Sequence, residues 1–352
     1  MRIKITKENS PEFSQDVIDW INNPYIEKDS NSLADKIRVI IEPSRVDTGN
    51  ITSSLIKPKR FEFRPQTWEQ FIGQEIAKNR AKTIEKQFKR GMRSHVILSA
   101  IRGHGKTSYI ELLAKTLGAK LIQKIGKQID EINIVDVINE INSSTNPNVV
   151  LFVDEIDSTD RKVIKIFNSI IESFQIEGKQ VRPFLFACAT INKGILLKNN
   201  PDFLDRIQHH ISFSRYTNLN LETIINQYHQ QLYSEEKINP IDVERIALNC
   251  KYNPRTAINL LENLIVNEDL DKVFADCDII KDGLTSVDIK ILNTLNDHKK
   301  PMGSNAIATR CGLPEPEYLR DYEPFLYEFV YINRTPSRVI TEKGIKLLKE
   351  LK

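Results

Sequence analysis

The octet Ala100-Ile-Arg-Gly-His-Gly-Lys-Thr107 combines two glycines, a lysine and a hydroxyl at the spacing of a phosphate-binding loop. Gly103 and Gly105 let the chain fold tightly, so that backbone N–H groups and a new helix N-terminus converge on an anion. Lys106 is placed to reach the β/γ-phosphates of ATP and the Thr107 hydroxyl to hold Mg²⁺, with Arg102, His104 and Ser108 lining the same loop. The usual first glycine is Ala100, small but a departure. A second motif, Asn148-Val-Val-Leu-Phe-Val-Asp-Glu-Ile-Asp157, is an apolar run that ends in carboxylates. Asp154 is placed to hold Mg²⁺ through water and Glu155 to polarise an attacking water. Together the two motifs point to a nucleotide hydrolase.

Such residues work only if elements hold them. The octet follows a short apolar run, His95–Ser99, and precedes an amphipathic stretch, Ser108 to Leu117. Strand, glycine loop and helix are the context this chemistry requires. The unbroken run at Asn148 suits a strand buried on both faces of a parallel sheet, whose C-terminal edge is where open α/β sheets bind ligands. Strands are expected at 95–99, 119–124, 148–153, 183–189 and 207–213, with helices between them, which predicts an α/β fold with a covered parallel sheet. Beyond Ser214 strand signals vanish, and helical patterns occupy 220–234, 241–249 and 255–267. Polar residues from Asp276 to Gly283 read as a linker. Helices at 285–297, 303–310 and 315–329 follow, then a hairpin at 331–340 and a closing helix, the plan of a winged helix.

At 352 residues the chain exceeds what one core usually holds. Its 28% charged and 40% hydrophobic residues are ordinary for a globular protein, and a net charge of +3 does not by itself argue for nucleic acid. Cys188, Cys250, Cys277 and Cys311 show neither metal-ligand spacing nor a disulfide framework, so a reducing cytoplasm is expected. No stretch reads as a signal peptide or membrane span. Four segments are expected: an extension over 1–60 with one amphipathic helix around Phe13 to Ile21, an ATPase core over 61–215, a helical lid over 216–280, and a DNA-binding winged helix over 283–352.

From about Phe63 to Leu351 the chain resembles the RuvB family, AAA+ motors that drive branch migration of Holliday junctions. The segment from Arg64-Pro65 to Ile72-Gly73 resembles the family's opening segment, which cups the adenine. Phe184–Thr190 resembles the strand that ends in sensor 1, so Thr190, or Asn192 two residues on, is expected to orient the lytic water. Pro201–Arg206 resembles the segment bearing the arginine finger, which implies that Arg206 reaches a neighbouring subunit's γ-phosphate. Tyr252-Asn-Pro-Arg255 resembles sensor 2, with Arg255 on the nucleotide. Asp321–Leu326 and Arg334-Thr-Pro336 resemble landmarks of the family's DNA-binding domain, where Arg334 and Arg338, with Lys346, are expected on DNA phosphates.

The resemblance implies a Mg²⁺-dependent ATPase that moves DNA, assembled as a ring or spiral, with a hexamer as the form the family suggests. The alternative is a clamp-loader-like protein, which places another protein on DNA under ATP control. Three departures stand out. The hairpin that docks RuvA in the family corresponds here only to Ile176–Arg182, so a RuvA-type partner is not expected. Phe203-Leu204 replaces the first arginine of the finger segment. The extension 1–60 has no counterpart. These departures fit a divergent relative, carried by a phage or mobile element, better than a housekeeping one.

Overall fold

The computed structural model describes residues 64–176, 178–191, 193–334 and 337–351. The helix expected near Phe13, the rest of segment 1–60, Asn192 and the pair Thr335-Pro336 lie outside these residues. Helix α1 (Glu75–Lys89) leads to strand β1 (Val96–Ser99), helix α2 (Lys106–Thr116), β2 (Lys120–Ile125), α3 (Ile134–Asn142) and β3 (Val149–Asp154). Next come α4 (Arg161–Ser173), the two-residue strands β4 (Gln175–Ile176) and β5 (Lys179–Gln180), and β6 (Leu185–Thr190). Short helices α5 (Lys193–Asn199) and α6 (Pro201–Asp205) precede β7 (His209–Ser212). The five long strands form one sheet, ordered β2-β3-β6-β1-β7 and parallel throughout.

The central strands β3, β6 and β1 are buried on both sides, which explains their near-continuous apolar runs, whereas the edge strands β2 and β7 carry exposed residues. Ile97, Leu151, Val153, Phe186 and Cys188 face one layer of helices, and Val96, Leu98, Val150, Phe152 and Ala187 the other. Successive residues thus anchor opposite layers, as the two-residue period of a strand demands. In register Ser99 lies opposite Thr190 and Ile125 opposite Asp154, so the polar strand ends share one edge of the sheet.

Four helices form the lid: α7 (Asn218–Leu232), α8 (Pro240–Asn249), α9 (Pro254–Asn267) and α10 (Leu270–Asp276). Thr217, Asn239, Asn253 and Asp269 cap them, each side-chain oxygen accepting a backbone N–H of the first turn. The linker expected at 276–283 is instead partly a hairpin. Strand β8 (Ile279–Lys281) turns at Asp282-Gly283 into β9 (Leu284–Thr285), with both turn residues at positive φ.

The last unit contains α11 (Ser286–His298), α12 (Ser304–Cys311), α13 (Glu323–Glu328), the hairpin β10 (Ile332–Arg334) with β11 (Arg338–Ile340), and α14 (Glu342–Glu350). It has its own apolar core, with Ile291, Leu292, Leu326 and Ile332 at its centre. The helix expected over 315–329 is broken by a π-helical turn at Tyr318–Tyr322. Pro324, which has no N–H to give, sits just beyond that turn, where α13 restarts. None of the four cysteines is in a disulfide; Cys188, Cys250 and Cys311 are buried and Cys277 is half-buried. No helix among the described residues is long and apolar enough to cross a membrane.

Candidate functional site: a phosphate-loop cleft under the lid

A cleft of about 720 Å³ opens along the polar edge of the sheet, between the glycine loop and the lid. Its floor begins where β1 ends. Gly103 and Gly105 take φ values of 82° and 88°, the left-handed region that side chains resist, and Gly105 starts α2. Space reinforces this choice. A Cβ on Gly103 would lie 2.3 Å from Asn253 Oδ1, and one on Gly105 3.1 Å from the Phe71 ring. Lys106 Nζ donates to the carbonyl oxygens of Ala100 at 2.7 Å and Ile101 at 3.2 Å. Burial lowers the pKa of this ammonium, which Asp154 partly opposes and the nearby Arg255 and Arg102 reinforce.

Asp154 and Glu155 leave the C-terminal end of β3 in different roles. Asp154 is half-buried, accepts the Glu155 N–H at 2.9 Å, and is pushed up in pKa chiefly by burial. Glu155 takes a left-handed φ of 51° and pairs with Arg102 of the glycine loop at 2.9 Å. Both partners of that pair are about half exposed, so the contact orients Glu155 more than it stabilises the fold. Thr190 is buried at the end of β6, where its carbonyl accepts the Ala100 N–H at 3.3 Å.

The cleft gathers most of the residues singled out in the sequence. Arg64, Pro65, Ile72, Arg102, Gly103, Gly105, Lys106, Thr107, Ser108, Asp154, Glu155, Thr190 and Arg255 all line it. His104 and Gly73 do not. The His104 ring is buried, its Nδ1 is 3.5 Å from the Arg102 carbonyl, and burial lowers its pKa. Gly73 packs beneath Tyr216 and Asn220. Arg206 also lies outside the cleft, held by Glu172 at 2.9 Å and by the Asp202 carbonyl at 2.6 Å. The lid contributes residues that no short motif announced. Tyr216, Ile224, Gln227, Tyr228 and Ile258 close the apolar side, and the Tyr216 hydroxyl donates to the His104 carbonyl at 3.2 Å. For Ile224, Tyr228 and Ile258 the only sequence signal is apolar spacing on lid helices, which any packed helix shows.

The two wing arginines differ from each other. They face one another across the β10–β11 ladder, and both reach Glu323, a carboxylate buried at the start of α13. Arg338 is mostly buried and its Nε donates to Glu323 Oε1, so its charge is engaged inside the domain. Arg334 keeps about half its side chain exposed, lies 3.6 Å from Glu323 and covers the Tyr327 ring at 4.5 Å. Lys346 is exposed on α14.

The donor set suits a nucleotide with a hard divalent ion. One carboxylate, Asp154, and one hydroxyl, Thr107, offer oxygen ligands, and Mg²⁺ ordinarily completes its shell with phosphate and water. Among the described residues no cluster of three or more histidine, cysteine or acidic side chains could hold a metal alone.

Comparison with known proteins agrees with this geometry in the sheet domain and in the terminal unit. Residues 63–182 match the Holliday junction DNA helicase RuvB P-loop domain, and residues 281–349 the RuvB C-terminal winged helix domain. The RuvB subunit of the Holliday junction branch migration complex from Mycoplasma genitalium is 29% identical over 309 residues, covering 81% of this chain and 97% of that protein. Its counterpart from Thermotoga maritima is 29% identical over 318 residues, covering 81% and 92% respectively. The solved structure of the Thermotoga maritima RuvB Holliday junction branch migration motor superposes with a TM-score of 0.71 at 29% identity, over 81% of this chain and 98% of that one.

Proposed function

The chain belongs to the RuvB-like AAA+ ATPases, and from that premise we propose that it is a Mg²⁺-dependent, ATP-driven motor that moves Holliday junctions. The observation that carries this reading is the single cleft in which the glycine loop, Lys106, Thr107, Asp154 and Glu155 meet Arg255 of the lid, on a chain that ends in a winged helix. The loop N–H groups, Lys106 and Arg255 bind the triphosphate, and the lid residues Tyr216, Ile224 and Ile258 enclose the base. Thr107 and Asp154 would hold Mg²⁺, which supplies charge neutralisation at the β/γ-phosphates. Glu155 polarises the attacking water, with Thr190 or Asn192 orienting it. Phosphoryl transfer asks for positioning and electrostatic stabilisation more than covalent chemistry, and these residues are of the types that provide both.

Arg206 serves a neighbouring subunit's cleft in this reading, since it lies outside its own. That requires a homo-oligomer, a ring or spiral. The winged helix contacts DNA phosphates through Arg334 and Lys346, while Arg338 sets the wing through Glu323. The test is strand movement on a four-way DNA junction with ATP and Mg²⁺. We expect migration by the wild-type chain and none by Glu155→Gln. ATP turnover without strand movement, dependent on an added protein partner, would favour the loader instead.

A further inference from the structure

The three residues Lys251, Tyr252 and Asn253, between α8 and α9, each grip a different part of the molecule. Asn253 Nδ2 donates to the carbonyl of Arg102 in the glycine loop at 2.8 Å, while its Oδ1 accepts the Arg255 N–H at 3.0 Å. Tyr252 stacks on Phe329, at the end of α13, with ring centroids 4.7 Å apart and planes at 18°. Lys251 Nζ donates to Asp288 Oδ2, a fully buried carboxylate in the first turn of α11, at 2.5 Å.

The backbone here is strained. Lys251 and Tyr252 have φ of 50° and 55°, two consecutive left-handed residues, neither of them glycine. Val330, beside Phe329 on the opposite wall, has φ of 60° although it is β-branched. Such conformations persist only where the surroundings over-determine them, and they gather at switch regions. A second tie runs parallel. Tyr216 holds the His104 carbonyl, and its neighbour Arg215 lies 4.7 Å from the Tyr252 ring centre, 4.4 Å from that of Phe329 and 3.6 Å from Glu328.

We infer that the turn 251–253 is the joint through which nucleotide occupancy reaches the winged helix. This rests on the glycine-loop cleft being the nucleotide site. Gly103 has no room for even a methyl group against Asn253, so a loop that shifts to accept phosphates must displace that side chain. Asn253 caps α9 and is contiguous with two residues clamped to α11 and to Phe329. Close-packed contacts of this kind exchange between discrete arrangements instead of deforming gradually. Tyr252 and Lys251 therefore move with Asn253, and the winged helix moves with them. They act as positioning residues and touch no phosphate.

The experiment is hydrogen exchange on the full chain, with and without a non-hydrolysable ATP analogue and Mg²⁺, and without DNA. In the wild type the analogue should change exchange at 285–290 and 325–331 by roughly fivefold or more, the lower range of allosteric coupling. Tyr252→Gly removes the ring and relieves the φ, so the fold should survive. Phe329→Leu attacks the stack from the other side. Both variants should bind the analogue, by calorimetry, within about twofold of wild type, yet show no change at the two segments. An unresponsive winged helix in the wild type, or an undiminished response in both variants, overturns the joint. Failure of the wild type to bind the analogue overturns the nucleotide site itself, and the joint with it.

Discussion

Lys106 donates to two loop carbonyls and sits where burial already disfavours its charge, so a phosphate is the partner that best satisfies it. Lys106→Ala should therefore abolish tight ATP binding in calorimetry; retained affinity would remove the loop from the mechanism. Glu155→Gln should bind ATP normally and hydrolyse it roughly 10²–10⁴-fold more slowly, because an amide cannot accept the water's proton. A steady-state rate near wild type would reassign Glu155. His95 offers a test of a different kind. Its Nδ1 accepts the Phe186 N–H at 3.0 Å and its Nε2 donates to the Ile171 carbonyl at 3.1 Å, which fixes a neutral ring. Burial lowers its pKa from 6.5 to about 4. The folded state thus refuses a proton that the unfolded chain accepts below 6.5. Stability is complete above that pH and falls toward pH 4, by up to about 3 kcal/mol. Urea midpoints at pH 7.5 and 4.5 should show the loss, and His95→Gln should flatten it.

At the scale of elements, the three central strands β3, β6 and β1 were most legible, because burial on both faces leaves an apolar run that few other settings produce. Three lid helices were legible from their helical patterns; in the structure two of them begin at Asn239-Pro240 and Asn253-Pro254, a capping side chain followed by a residue that needs no N–H. What escaped were contacts made across long sequence separations. Nothing local in Asn253 tells that it bonds to Arg102, and nothing local in Arg338 tells that it turns inward to Glu323. The break at Tyr318 was missed because a π turn keeps a nearly helical spacing. Asp288 shows what such long-range contacts weigh. It is fully buried, bonded to the Thr285 N–H and hydroxyl, and neutralised by Lys251. Lys251→Met should cost about 3 kcal/mol in urea unfolding, since a buried carboxylate then stands alone. Lys89→Met, in an exposed pair with Glu85, should cost less than about 1 kcal/mol. Equal losses would show that Asp288 finds another partner.

The whole molecule is where the motor reading must finally hold. If Arg206 acts on a neighbour, Lys106→Ala and Arg206→Ala subunits should each be inactive alone and recover part of the ATPase activity when mixed. No recovery in a mixture shown to co-assemble would place Arg206 in its own subunit's structure, with Glu172 as its permanent partner. DNA affinity should fall steeply with salt, and Arg334→Ala should flatten that slope by about one phosphate equivalent. Arg338→Ala should instead lower the stability of the terminal unit, because Glu323 loses its closest cation. The cysteines carry a practical corollary. Burial pushes the Cys188 thiol well up in pKa and that of Cys250 to about 11, and Cys311 is sealed in the terminal core. Cys277, half-buried at the end of α10, is the least enclosed of the four. A maleimide dye added to the native protein should therefore attach at one place, between lid and wing, giving a ready-made reporter without any engineered cysteine.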